Sequence, residues 1–123
     1  METKAQSLEK VLDDLKKVGG IELSAIVSRQ GLLMVSKDSN GNLSNEAFAA
    51  LTATLYMSAE STTLRLKEQK PKSIIVETTE DKHLITYAAG NNALIVVLVE
   101  KDGVIGLILN ELITVAEKVK MII

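Results

Sequence analysis

The chain has one histidine, His83, which follows Asp81 and Lys82 at the start of a β-like run. An imidazole near a carboxylate is material for acid–base catalysis or metal binding, but both need further groups at set spacing. The chain has no cysteine and no second histidine, and neither H-x-x-x-H nor H-x-E occurs. A zinc site would therefore have to be built mainly from carboxylates, and no metal ligand is assigned. Asp13-Asp14 and Glu80-Asp81 are adjacent carboxylates. Neighbours on a helix or turn point different ways, so both pairs read as solvated surface rather than as an acid/base couple. No catalytic residue is assigned, and the chain is not expected to be an enzyme.

Glycines occur as Gly19-Gly20, Gly31, Gly41, Gly90, Gly103 and Gly106, and none forms a phosphate-cradling G-x-x-x-x-G-K-[ST] or G-x-G-x-x-G. No nucleotide or other cofactor is expected. Arg65, Lys67, Lys70 and Lys72 are the nearest thing to a basic patch, interrupted by Glu68 around Pro71, the only proline. Cations there complement a helix C-terminus. The formal charge is -2, from 14 basic and 16 acidic residues, so no overall field draws nucleic acid or an anionic membrane. Aromatic residues are 2 % (Phe48, Tyr56, Tyr87), too few for a base-stacking surface.

The lack of cysteine fits a reducing compartment, and a cytoplasmic location is expected. The polar start, Met1 to Lys10, is not a signal peptide, and no apolar run approaches the ~18 residues of a membrane span, so no membrane insertion is expected. The 123 residues read as a single domain, 1–123, without internal repeat or linker. A chain of this size can bury ~65–70 % of its unfolded surface.

From Thr3 to Val18, Leu8, Val11, Leu12, Leu15 and Val18 recur at helical spacing, closed by Gly19-Gly20. Ile21, Leu23, Ala25 and Val27 alternate with Glu22, Ser24, Ile26 and Ser28, and Arg29-Gln30-Gly31 turns the chain into Leu32 to Ser36, a β-hairpin pattern. Lys37 to Leu43 is a polar turn, and Ser44 or Asn42 can cap the helix that follows. After Pro71, the runs Ser73 to Thr78, His83 to Ala88 and Ala93 to Val99 are joined by hairpin-length loops and form an antiparallel meander. Gly90-Asn91-Asn92 supplies a turn with positive φ. Ala93 to Val99 is apolar throughout, which places it mid-sheet with helices over both faces. Lys101-Asp102-Gly103 breaks the pattern before a last amphipathic helix from Val104 to Met121. The expected order is α-β-β-α-β-β-β-α, an α+β fold.

The middle helix, expected from Asn45 to Glu68, carries more apolar surface than one sheet contact needs. Steps of ~100° put Phe48, Leu51, Leu55 and Leu66, with Ala59 and Thr62, on a stripe suited to the sheet. Roughly 150° away lie Ala50, Ala53, Thr54, Met57, Ser61 and Leu64, small residues around one methionine that suit close packing of a second helix. The third sector, Thr52, Tyr56, Glu60, Thr63 and Lys67, reads as a solvent or docking face.

The element order, the segment Gly19 to Leu32 with its hairpin glycine Gly31, the small-residue helix and Gly103 before the last helix resemble the Roadblock, or dynein light-chain, domain family, in particular its MglB-like prokaryotic members. The likeness runs through essentially the whole chain. It implies a five-stranded antiparallel sheet of order 2-1-5-4-3, with the middle helix on one side and the terminal helices on the other. It also implies a homodimer that pairs the third strand and middle helix of each protomer, here Ile74, Ile75 and Val76 with Ala50, Ala53, Thr54, Met57, Ser61 and Leu64. Such pairing would cover a sheet edge that is an aggregation hazard when open. Proteins similar to this bind small Ras-like GTPases and regulate their nucleotide cycle, or serve as adaptors in motor and signalling assemblies. By that analogy Thr52, Tyr56, Glu60, Thr63 and Lys67 would face the GTPase. The sequence thus reads as a non-catalytic homodimeric interaction module for a small Ras-like GTPase. A structural adaptor or scaffold is the alternative, followed by a small-molecule sensor, which an aliphatic core with few converging polar groups disfavours.

Overall fold

A computed structural model describes residues 1–38, 45–67 and 69–123. The elements are α1 (Lys4–Lys16), β1 (Ile21–Ser28), β2 (Leu33–Asp38), α2 (Asn45–Leu64), β3 (Ser73–Glu77), β4 (His83–Ala89), β5 (Ala93–Val99) and α3 (Ile105–Ile122). They form one antiparallel sheet of order β2-β1-β5-β4-β3, the expected topology. The polar turn after Asp38, the expected cap at Ser44 or Asn42, and Glu68 lie outside the described residues.

α1 starts at a capping box. Thr3 accepts from the Gln6 N–H through its hydroxyl, and the Gln6 side chain accepts from the Thr3 N–H, so two otherwise unpaired donors are satisfied. Leu8, Val11, Leu12 and Leu15 are its buried face. The helix stops before Gly19 and Gly20, with φ of 87° and 76°, a backbone region glycine enters without a Cβ clash. A Cβ on Gly20 would lie 2.7 Å from the Gly103 Cα, so the loops before β1 and before α3 touch backbone to backbone.

β5 is paired on both sides, by β1 and β4. Ile95, Val97 and Val99 join Ile26, Ile85 and the inner faces of α1 and α3 in the larger core cluster. Leu94 and Val96 point the other way, beneath α2, with Ala25, Val27, Ala49, Ala53 and Tyr56. β1 departs from the expected one-sided alternation: Leu23 to Val27 are all buried, Ser24 and Ile26 included. Its place between β2 and β5, with helices over both faces, leaves neither side of the strand in water.

α2 ends at Leu64, one turn before the expected Glu68. The Leu66 N–H bonds the Thr63 carbonyl at 2.9 Å, tightening the chain into a turn, and Lys67 takes a positive φ of 81°. Leu66 and Lys67 are therefore not helix-face residues at all.

Candidate interaction surface

α2 lies on the sheet through small residues. Ala49, Thr52, Ala53 and Tyr56 are buried, and Phe48, Ala59, Glu60 and Thr63 are partly so. The strand residues beneath are already bulky, Val27, Leu94 and Val96 among them, so the helix can settle close only where its own side chains are short. Gly31 extends this closeness, since a Cβ there would come within 3.2 Å of the Ala50 Cα.

This arrangement corrects the expected faces. Leu51, Leu55, Thr62 and Leu66, assigned to the sheet by spacing, are exposed, Leu51 by 69 %. Phe48 does pack beneath the helix, and Ala59 is half-buried. Conversely, Thr52 and Tyr56, assigned to a docking face, are 4 % and 2 % exposed and point to the sheet. Glu60 and Thr63 sit at the margin of that buried side, and Lys67 is exposed beyond the helix end. The five residues Thr52, Tyr56, Glu60, Thr63 and Lys67 thus do not form one outward surface.

Tyr56 organises the buried side. Its ring packs in a cluster with Ala53, Leu94, Ile74 and Ala88, and its hydroxyl donates to the Pro71 carbonyl at 2.7 Å. Burial, partly offset by Arg29, raises the phenol pKa above its ordinary value. The Arg29 guanidinium lies over the ring, 4.6 Å from its centroid, and its Nη2 donates to both Glu60 carboxylate oxygens at 3.0 and 3.1 Å. Sequence reasoning missed this trio, which ties the β1–β2 turn to α2. One signal was present: from Ala47 to Leu64 Glu60 is the only charged residue, and a solitary charge on an apolar helix needs a partner.

The outward side of α2 is consequently uncharged between Ala47 and Leu64. Ala50, Leu51, Thr54, Leu55, Met57, Ser58, Ser61, Thr62 and Leu64 are all exposed, Met57 by 52 %. Thr54 and Thr62 donate their hydroxyl protons to the carbonyls of Ala50 and Ser58, at 2.9 and 2.8 Å. Neither hydroxyl donor is left facing water, which makes the surface more apolar than its composition implies. Of the residues expected to pair protomers through α2, Ala50, Thr54, Met57, Ser61 and Leu64 lie on this side, whereas Ala53 is buried beneath the helix.

β3 is an edge strand that bonds only β4 within the sheet. Ile74 is half-buried in the Tyr56 cluster, while Ile75 and Val76 are exposed, Ile75 by 46 %. An open edge carrying aliphatic side chains invites another strand.

His83, Asp13 and Asp14 are engaged in ion-pair contacts. His83 Nε2 lies 3.5 Å from Glu77 Oε2 across β3 and β4. Asp13 faces Lys37 at 3.6 Å, while Asp14 faces Lys17 and Lys118 at 3.4 and 3.7 Å, so the two carboxylates diverge. Lys82 donates to Glu22 at 2.9 Å, and that hydrogen bond raises the lysine pKa. Among the described residues no group of three His, Cys, Asp or Glu is placed to hold a metal ion, and no helix is long and apolar enough to cross a membrane.

Comparison with known proteins places this geometry. The Roadblock/LC7 domain model matches residues 7–99. The structure of MglB from Myxococcus xanthus superimposes with a TM-score of 0.90 at 19 % identity, covering 99 % of this chain and 91 % of that one. The gliding protein MglB of Thermus thermophilus gives 0.88 at 16 % identity, covering 99 % and 92 %. A Roadblock/LC7 domain from Streptomyces avermitilis gives 0.82 at 18 % identity, covering 91 % and 93 %. No curated protein matches the chain by sequence.

Proposed function

The chain belongs to the Roadblock/LC7 domain family, and from that premise we propose that it is a non-catalytic homodimeric module that binds and regulates a small Ras-like GTPase. The observation that carries the reading is the uncharged outward side of α2 beside the open β3 edge. Two copies would join β3 to β3 and lay the Ala50, Thr54, Met57, Ser61 and Leu64 row of each α2 against its mate. A 20-residue helix is ~30 Å long and ~10 Å across, so one helix face offers only ~300 Å². A stable interface needs ~800 Å² from each partner, so helix and strand edge must be used together. One similar structure, an MglB, is described in a tetrameric arrangement, which supports self-association in this fold.

Pairing along that row would leave Leu51, Leu55, Ser58 and Thr62 outward on each helix. These four, rather than the buried Thr52 and Tyr56, are where we place GTPase contact. Arg29 is held by Glu60 and Tyr56, so it is not free to enter a partner's active site. The mechanism is then conformational: the dimer favours whichever arrangement of the GTPase switch segments it binds better.

The test passes lysate of the source organism, loaded with GDP or a non-hydrolysable GTP analogue, over immobilised wild type and Leu55→Asp. Retention of a Ras-like GTPase in one nucleotide state by wild type alone supports the reading. Retention in both states alike indicates an adaptor, and no GTPase at all removes the proposal.

A further inference from the structure

On the end of the molecule that carries the β4–β5 turn, an open cleft of about 310 Å³ lies between the segment leading into β3, that turn, and α3. Arg29, Lys70, Lys72 and Lys120 line it against only Glu60 and Glu117, so its lining is positive although the chain as a whole is negative. Glu60 is taken up by Arg29 Nη2, and Glu117 by Lys120 at 3.3 Å. Among the described residues Lys70 and Lys72 have no carboxylate within ion-pair distance. Arg29 Nε is buried without a hydrogen-bond partner, a donor that native structures seldom leave unused. Gly90 gives Lys120 its place, since a Cβ there would meet the Lys120 Cγ at 3.2 Å, and the lysine stem lies along the turn. Between the cations the lining is apolar: Tyr87, Ala88, Ala116 and Ile113, the last exposed.

We propose that this cleft is a docking site for an acidic peptide segment of a partner protein, with carboxylates on Lys70 and Lys72 and an aliphatic side chain over Ile113 and Tyr87. Charge complementarity selects the sign of the ligand. Lys70 and Lys72 are exposed beside an apolar floor, and a small anion held by them would leave that floor wet. A peptide segment that carries both acidic and aliphatic residues reaches both. None of the residues assigned to the α2–β3 pairing lines this cleft.

The experiment selects binders to the full chain from a displayed library of random dodecapeptides and measures a fluorescein-labelled winner by anisotropy. Enrichment of Asp and Glu next to Leu, Ile or Val is expected, with affinity falling about tenfold or more in Lys70→Glu/Lys72→Glu and on raising salt. Lys101→Glu, an exposed reversal in another loop, should change little. Amide NMR shifts on titration should cluster at Ala88, Gly90 and Asn91. Thr54→Arg, which addresses self-association, should keep its peptide affinity, so the two readings fail separately. Recovery of no binders, of neutral binders, or of acidic binders indifferent to Lys70→Glu/Lys72→Glu would overturn the proposal. So would inorganic pyrophosphate alone producing the same shifts while the peptide does not.

Discussion

Replacing Glu60 by alanine removes the only carboxylate that pairs with the Arg29 guanidinium among the described residues, and the structure sets how much that costs. The two side chains are 16 % and 20 % exposed. Fully exposed ion pairs contribute ~0.2–1 kcal/mol, and losing one member of a fully buried pair costs ~3–5 kcal/mol. A pair four-fifths withdrawn from water, with one guanidinium nitrogen donating to both carboxylate oxygens, falls between, and a loss of ~2 kcal/mol is expected. For a domain of this length that lowers the melting temperature by roughly 6–10 °C. Arg29→Ala should lose a similar amount plus the ring contact to Tyr56, worth ~0.5–1 kcal/mol. The assay is a double-mutant cycle by urea denaturation with circular dichroism, all four proteins at one concentration because self-association would add to apparent stability. The expected coupling is ~1.5–2 kcal/mol, the double mutant being much less damaged than the two losses summed. A coupling below ~0.5 kcal/mol would mean that the pair is in effect solvated, and the argument from burial would be refuted.

Three further outcomes follow from the same packing. Tyr56 holds its proton more tightly when folded, so its contribution to stability is complete below the ordinary phenol value of 10.0 and is lost as pH rises through the higher folded value. In a Tyr87→Phe background the phenolate absorbance should therefore appear later than in unfolded chain, and coincident titrations would contradict this. Gly103→Ala should destabilise by ~1–3 kcal/mol, because a Cβ would lie 2.4 Å from Val99 Cγ1 and 3.0 Å from the Gly20 carbonyl oxygen. Gly106→Ala, in the first turn of α3 with nothing within 4 Å, should instead stabilise by up to ~0.5–1 kcal/mol in thermal melts.

Much of the fold is legible in the sequence, and the clearest mark is a strand-length apolar run bounded by turn residues. Ala93 to Val99 is apolar at seven consecutive positions, and it is indeed the strand paired by β1 and β4. Gly19-Gly20 marks where α1 stops, and the hairpin-length loops fix the meander. The faces of α2 are less legible. Periodicity shows that the helix carries more than one apolar stripe, but it cannot say which lies down on the sheet, and assigning the largest side chains there is the natural choice. Packing distance decides otherwise. Ala49, Ala53 and Thr52 let the helix approach bulky strand residues, and the Tyr56 hydroxyl is satisfied inside by the Pro71 carbonyl. Leu51, Leu55 and Met57 are thereby turned out to the side a partner would cover. The Arg29, Tyr56 and Glu60 trio joins residues up to 31 positions apart, which local spacing does not reach.

The uncharged side of α2 and the β3 edge are expected to be covered by a second copy of the chain. Light scattering of wild type and Thr54→Arg at micromolar concentration tests it most directly. Wild type should show twice the chain mass, and Thr54→Arg, with a folded circular dichroism spectrum, a single chain mass, since a guanidinium in that contact would be buried without a counter-charge. A monomeric wild type, or a variant dimer as tight as wild type, would contradict the account.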